Sequence, residues 1–209
     1  MPVHATIEAP VKPDTPTPMS VRKYSVEEYV ARERVSEIRH DYVEGDIIPV
    51  PDTSLNHNRI ARNMTTGFNL AFDNRECEAF MESIRVRVSA FHYRYPDVIA
   101  LCGEPVTDNT NPPALLNPAV IVEVLSPSTE ALDFSGKRAE YTQIADVTDY
   151  VLIAQDRVSV VHHSRQKGGE WKEEKFADLS DTLSFASLNV TLTLASLYHK
   201  VVFPDLANS

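Results

Sequence analysis

The spacing of apolar and polar residues divides the chain into short elements. Ser25-Val-Glu-Glu28 has the spacing of a helix-capping box, and Val26, Tyr29 and Val30 follow on one helical face. This predicts a short helix that ends near Arg34. Ile38–Val50 reads as strand and is broken by Glu44-Gly45-Asp46, a hairpin turn. Ser54 can cap a second helix, in which His57, Ile60, Ala61, Met64, Phe68 and Ala71 form one stripe. Gly67 weakens that helix without ending it. Glu78–Met81 and Ile84–Val88 read as an antiparallel pair, and Asp97–Leu101 as a short apolar strand. Residues 103–118, rich in Pro and Asn, read as a surface loop.

Ala119–Leu125 is the most strand-like run. It is apolar on both faces except at Glu123, as expected of a central strand. Ser126-Pro-Ser-Thr129 ends it, and a helix is predicted over about Ser135–Ile144, with Asp133 or Ser135 near its cap. Tyr150–Ala154 is a further buried strand. Val158–His163 and Glu170–Phe176 form a hairpin around Lys167-Gly-Gly169, and Leu194–Val201 suggests a closing helix. Residues 1–20 hold five prolines and little apolar content, so they are expected to be a disordered tail. Residues 21–203 are expected to form a single domain, followed by a short tail over 204–209.

Composition narrows the function classes. The 209 residues are 43% hydrophobic, enough for a real core. There is no apolar run of membrane-helix length and no secretory signal, so the expected location is cytoplasmic, with no membrane partner. Cys77 and Cys102 are too few for a disulfide scaffold and too isolated for a cysteine zinc site, and both thiols are expected to be reduced. The formal charge is −10 and is unevenly spread. Residues 55–95 carry six arginines against four acids, and residues 96–156 carry ten acids against Lys137 and Arg138. A divalent cation beside an anion-binding face would suit this division, and so would an ordinary solvated surface.

Glu123 is the anomaly. A carboxylate buried in an apolar strand costs several kcal/mol unless a cation, a partner or a proton compensates it. Alternation puts it on the face of Ile121 and Leu125. Asp97 begins the preceding apolar strand. If the two strands are neighbours, the carboxylates converge at one sheet end, where Mg²⁺ or Mn²⁺ could separate them; a buried salt bridge or solvent at the strand end is the other reading. Lys137, on the next helix, could reach back over the strand end to orient a water or stabilise charge on phosphorus, or it could pair with Asp133. Tyr141, one turn further, is read as packing. Asp41 is a third carboxylate or a solvated one, and His57 a satisfied core residue or a ligand. There is no phosphate-binding Gly-rich loop, no Gly-x-Ser-x-Gly elbow and no His-Glu-x-x-His helix.

Taken together, these residues resemble the "putative restriction endonuclease" domain family, a branch of the PD-(D/E)XK nuclease-like superfamily. The matching stretches are His40-Asp-Tyr-Val-Glu-Gly-Asp46, Ser54-Leu-Asn-His-Asn-Arg-Ile60, Tyr93-Arg-Tyr-Pro-Asp-Val98 and Val122-Glu-Val-Leu-Ser-Pro-Ser-Thr129, with Asp133, Lys137 and Tyr141. Their order and spacing run over about residues 20–203. The resemblance implies an α/β (α+β) fold with a restriction endonuclease-like core, a central mixed β-sheet flanked by helices. It implies a Mg²⁺- or Mn²⁺-dependent endonuclease acting on DNA. Asp97 and Glu123 would be metal ligands, the Val124 backbone carbonyl a third, Lys137 and Asp41 catalytic, and His57 and Tyr141 at the edge of the site. Leu125 stands where the superfamily pattern has its lysine, and the resemblance implies that Lys137 would take over that role from the following helix. Asp41 is shorter than the Glu usual in the family at that position. The arginines of residues 55–95 would supply part of a phosphate-contacting face, and a homodimer would suit cleavage of both strands. The rival reading is a nuclease-like fold kept as a non-catalytic binding or assembly module.

Overall fold

The structure is a computed structural model and describes residues 22–126 and 136–203. In chain order its elements are α1 (Val26–Glu33), β1 (His40–Val43), β2 (Asp46–Pro49), α2 (Leu55–Ala71), β3 (Cys77–Met81), β4 (Arg85–Ser89), β5 (His92–Arg94), β6 (Val98–Cys102), β7 (Ala114–Leu115), β8 (Val120–Leu125), α3 (Arg138–Tyr141), β9 (Asp149–Ala154), β10 (Val160–Arg165), β11 (Trp171–Phe176), β12 (Thr182–Phe185), β13 (Val190–Thr193) and α4 (Leu194–Leu197). A six-stranded mixed sheet runs β11-β10-β9-β8-β6-β3, a five-stranded sheet runs β2-β1-β5-β4-β7, and β12-β13 is a hairpin. The architecture is α+β.

Local sequence explains where the helices begin. The Ser25 hydroxyl accepts from Glu28 N while the Glu28 carboxylate accepts from Ser25 N, a complete capping box. Ser54 likewise accepts from His57 N and starts α2. The stripe Ile60, Ala61, Met64 and Phe68 packs on one face of the six-stranded sheet against Val98, Ala100, Val120, Val122 and Val124. The opposite face holds Ile99, Leu101, Ile121, Leu125, Tyr141, Tyr150 and Leu152. β8 is buried along its whole length, with β6 antiparallel on one side and β9 parallel on the other. Its two apolar faces follow from this central place. The hairpin turn is Glu44-Gly45, both with positive φ, as a two-residue turn requires.

Three expectations are corrected. β3 does not pair with β4: it pairs with β6, and β4 lies in the other sheet between β5 and β7. Glu82 takes a positive φ and donates its N–H to the Asp97 carbonyl, so the chain turns out of one sheet and returns to it only at β6. Cys77 and Cys102 are not free thiols. The β3–β6 register sets them directly opposite each other, and their sulfurs are bonded. A sequence separation of 25 residues concealed that proximity. A β12-β13 hairpin precedes the closing helix, which spans only Leu194–Leu197 and not Leu194–Val201. Asp133, Ser135 and most of Ser126–Thr129 lie outside the described residues.

Candidate active site

The register of β6 against β8 decides where the two carboxylates fall. Val98 opposes Val122, so the next step outward sets Asp97 across from Glu123. Asp97 Oδ2 accepts from Val124 N at 2.6 Å, which ties the start of β6 to the end of β8. His57 Nε2 lies 3.1 Å from the same oxygen, delivered by the first turn of α2. Glu123 is 3% exposed and, as alternation requires, shares the face of Ile121 and Leu125. Lys137 Nζ lies 3.0 Å from Glu123 Oε1, and Tyr141 Oη donates to that oxygen at 2.9 Å. Burial, followed by the adjacent Glu123 carboxylate, holds the Tyr141 phenol well above its ordinary range, so it remains a donor.

A cleft of about 480 Å³ opens beyond the carboxyl ends of β8 and β9. Asp41, His57, Asp97, Glu123, Val124 and Lys137 all line it. The parallel β8-β9 pair is where an α/β sheet offers a crevice at its strand ends. Tyr141 lies behind the cleft wall. Its reading as packing is incomplete: it packs on Tyr150, with ring centroids 5.4 Å apart, and also positions Glu123.

Asp41 is neither solvated nor unengaged. Its Oδ2 accepts from Arg94 Nη1 at 2.9 Å and its Oδ1 from Tyr95 N at 3.0 Å. Arg94 also forks onto Glu140 of α3, with Nε donating at 2.8 Å and Nη2 at 2.6 Å. Burial opposes the Arg94 charge, but Glu140 and Asp41 outweigh it and keep the guanidinium above its ordinary range. Arg94 therefore clamps β1, β5 and α3 together beside the cleft. Behind it, buried Glu33 accepts from Tyr95 Oη at 3.0 Å and from His40 N at 3.2 Å. Sequence reasoning missed Arg94 and Glu140 as a pair because the partners lie 46 residues apart and carry no local signature.

The proposed arginine face is also corrected in part. Arg85 is fully buried, stacked between the Tyr29 and Tyr93 rings at 5.1 and 4.9 Å. With Arg94 buried as well, two of the six arginines cannot meet a phosphate backbone.

The residues present suit a hard divalent cation. Asp97 Oδ1 has no hydrogen-bond partner among the described residues, and the Val124 carbonyl belongs to the same strand end. Two carboxylates with a carbonyl and water are an all-oxygen set of the kind Mg²⁺ accepts. Among the described residues no three His, Cys, Asp or Glu side chains converge as a ligand cage.

The mixed sheet with its flanking elements is a restriction endonuclease-like α+β fold. A crystal structure from Anabaena variabilis, described as "a putative nuclease belonging to DUF820", shares it. The TM-score is 0.70 at 18% identity, covering 85% of this chain and 99% of that one. The chain belongs to the Uma2 family, described as "Putative restriction endonuclease", which it matches over residues 26–195. It is 32% identical to the Synechocystis sp. uncharacterized protein sll1609 over 145 residues, which is 69% of this chain and 82% of that protein. It is 30% identical to slr1290, an uncharacterized protein of the same organism, over 192 residues, 91% of this chain and 97% of that one. No helix among the described residues is long and apolar enough to cross a membrane.

Proposed function

We propose that the protein is a Mg²⁺- or Mn²⁺-dependent nuclease that hydrolyses phosphodiester bonds in DNA. The observation that carries this reading is the opposition of Asp97 and Glu123 on neighbouring strands, with Lys137 at Glu123, on the floor of one cleft. Asp97, Glu123 and the Val124 carbonyl would hold the ion. When bound it would polarise the phosphate and lower the pKa of a coordinated water. Lys137 supplies positive charge beside Glu123, where it can orient a water and balance charge on the phosphate. Tyr141 keeps the Glu123 carboxylate aimed, and His57 does the same for Asp97. Asp41 acts through Arg94 and not on the substrate.

Calorimetry with Mn²⁺ and Mg²⁺ tests this. Wild type should bind, Asp97→Ala/Glu123→Ala should not, and Lys137→Ala should bind while losing turnover. Cleavage by Glu123→Ala at the wild-type rate would refute the assignment.

One observation favours a second reading. Lys137 and Tyr141 already compensate Glu123, and His57 faces Asp97, so the acids also make sense as an internal network in a non-catalytic module. The thermal midpoint decides between the two. A site that binds Mg²⁺ in the native state raises it with ion concentration, whereas a closed network does not respond.

A further inference from the structure

We infer that the cleft takes an unpaired nucleic-acid strand and not the backbone of an intact duplex; this deepens, and rests on, the nuclease reading. Three features point the same way. The first is charge. A duplex laid across a protein presents phosphates of both strands along its length, about 6–10 of them in a strongly salt-sensitive complex, whereas a strand entering one cleft presents only the few phosphates inside it. The described lining holds two cations, Arg94 and Lys137, and both are engaged: Arg94 with Asp41 and Glu140, Lys137 with Glu123. Asp41, Asp52, Asp97 and Glu123 outnumber them. The sequence of residues 127–135 contains no Lys or Arg either.

The second feature is depth. Glu123 is 3% and Lys137 8% exposed, so a phosphate must descend to a recessed floor to reach them. A duplex is a stiff rod that bends only at a cost of several kcal/mol, whereas an unpaired strand can dip one phosphate inward. The third is an apolar stretch of the cleft lining. Ile48, 43% exposed, is followed by Pro49, Val50 and Pro51, all lining the cleft. In a duplex the apolar base faces are stacked inside and cannot use such a wall. An unpaired nucleotide can lay the apolar face of its base or sugar on it and shed water. The volume of about 480 Å³ has room for a group the size of a nucleotide.

The test compares one mixed-sequence DNA oligonucleotide as a single strand and as its blunt duplex, using the full chain. Fluorescence anisotropy in Ca²⁺ reads binding, and cleavage is followed separately in Mn²⁺. The single strand should bind at least about tenfold more tightly, ~1.4 kcal/mol, and be cut faster. Ile48→Glu, at a half-exposed position, should weaken single-strand binding by about tenfold at an unchanged thermal midpoint. Equal or tighter binding and cutting of the duplex, or an Ile48→Glu protein with wild-type affinity, overturns the inference and leaves the nuclease reading standing. Preferential binding of the single strand with no cleavage of either form overturns the nuclease reading but keeps the strand preference. Neither binding nor cleavage of either form overturns both.

Discussion

Glu123 shows how a single residue can be read and still be incompletely understood. Its position in an otherwise apolar strand announces that something must compensate it, because an unpaired buried carboxylate is too costly to keep. The compensating groups were named in the sequence but not assigned. Lys137 and Tyr141 lie four residues apart, so one helical face delivers both to Glu123 Oε1. Lys137→Met should therefore lower the unfolding free energy by about 3–5 kcal/mol in urea titrations, because it strands a buried charge. Adding Glu123→Gln to that variant should restore part of the loss. Tyr141→Phe keeps the ring and removes one hydrogen bond to a charged acceptor, so a loss of about 1.5–3 kcal/mol is expected in the same titration. Asp41 is the counterexample. Nothing local to residues 40–46 discloses Arg94, which reaches it from 53 positions away.

At the scale of elements, what could be read was what is local. Both helix caps, the Glu44-Gly45 turn, the α2 stripe and the two-faced β8 each rest on residues within a few positions of one another. The pairing of β3 was not legible. Two strand-like runs separated by a short turn invite a hairpin, and only the return of the chain at Asp97 shows that β3 belongs beside β6. The clamp at Arg94 is the corresponding long-range device. It joins β1 and α3, and α3 directly follows Lys137. Arg94→Met leaves Asp41 and Glu140 buried without their cation. It should cost about 3–5 kcal/mol by chemical denaturation, a far larger effect than changing an exposed arginine such as Arg62.

For the whole molecule, burial also sets a response to pH. His163 is buried on the Tyr150 side of the six-stranded sheet, and its rings stack at 6.1 Å. Burial, and then the neighbouring Arg138 charge, push its pKa below the ordinary 6.5. The folded state thus resists a proton that the unfolded chain accepts. The stabilisation is present above about 6.5 and is lost as pH falls toward the lower folded value. Thermal midpoints should drop between pH 7.5 and pH 5, and His163→Phe should reduce the drop. The overall architecture was legible because the resemblance spans nearly the whole described chain. Its division into two sheets with a cleft between them was not, since that depends on which strands cross from one sheet to the other.

The contact between Lys137 and Glu123 has a consequence for how such sites vary. A lysine two residues after its acid, on the same strand, is locked into a fixed spacing, and any insertion between them removes it. Here the spacing is 14 residues and the lysine sits at the start of a separate helix. What geometry fixes is the place where Nζ arrives, not the number of residues spent getting there. A connection of another length that still brings Nζ to that place would keep the same charge beside the same carboxylate. A search for a contiguous acid-x-lysine string passes over such an arrangement, because Leu125 stands two residues after Glu123.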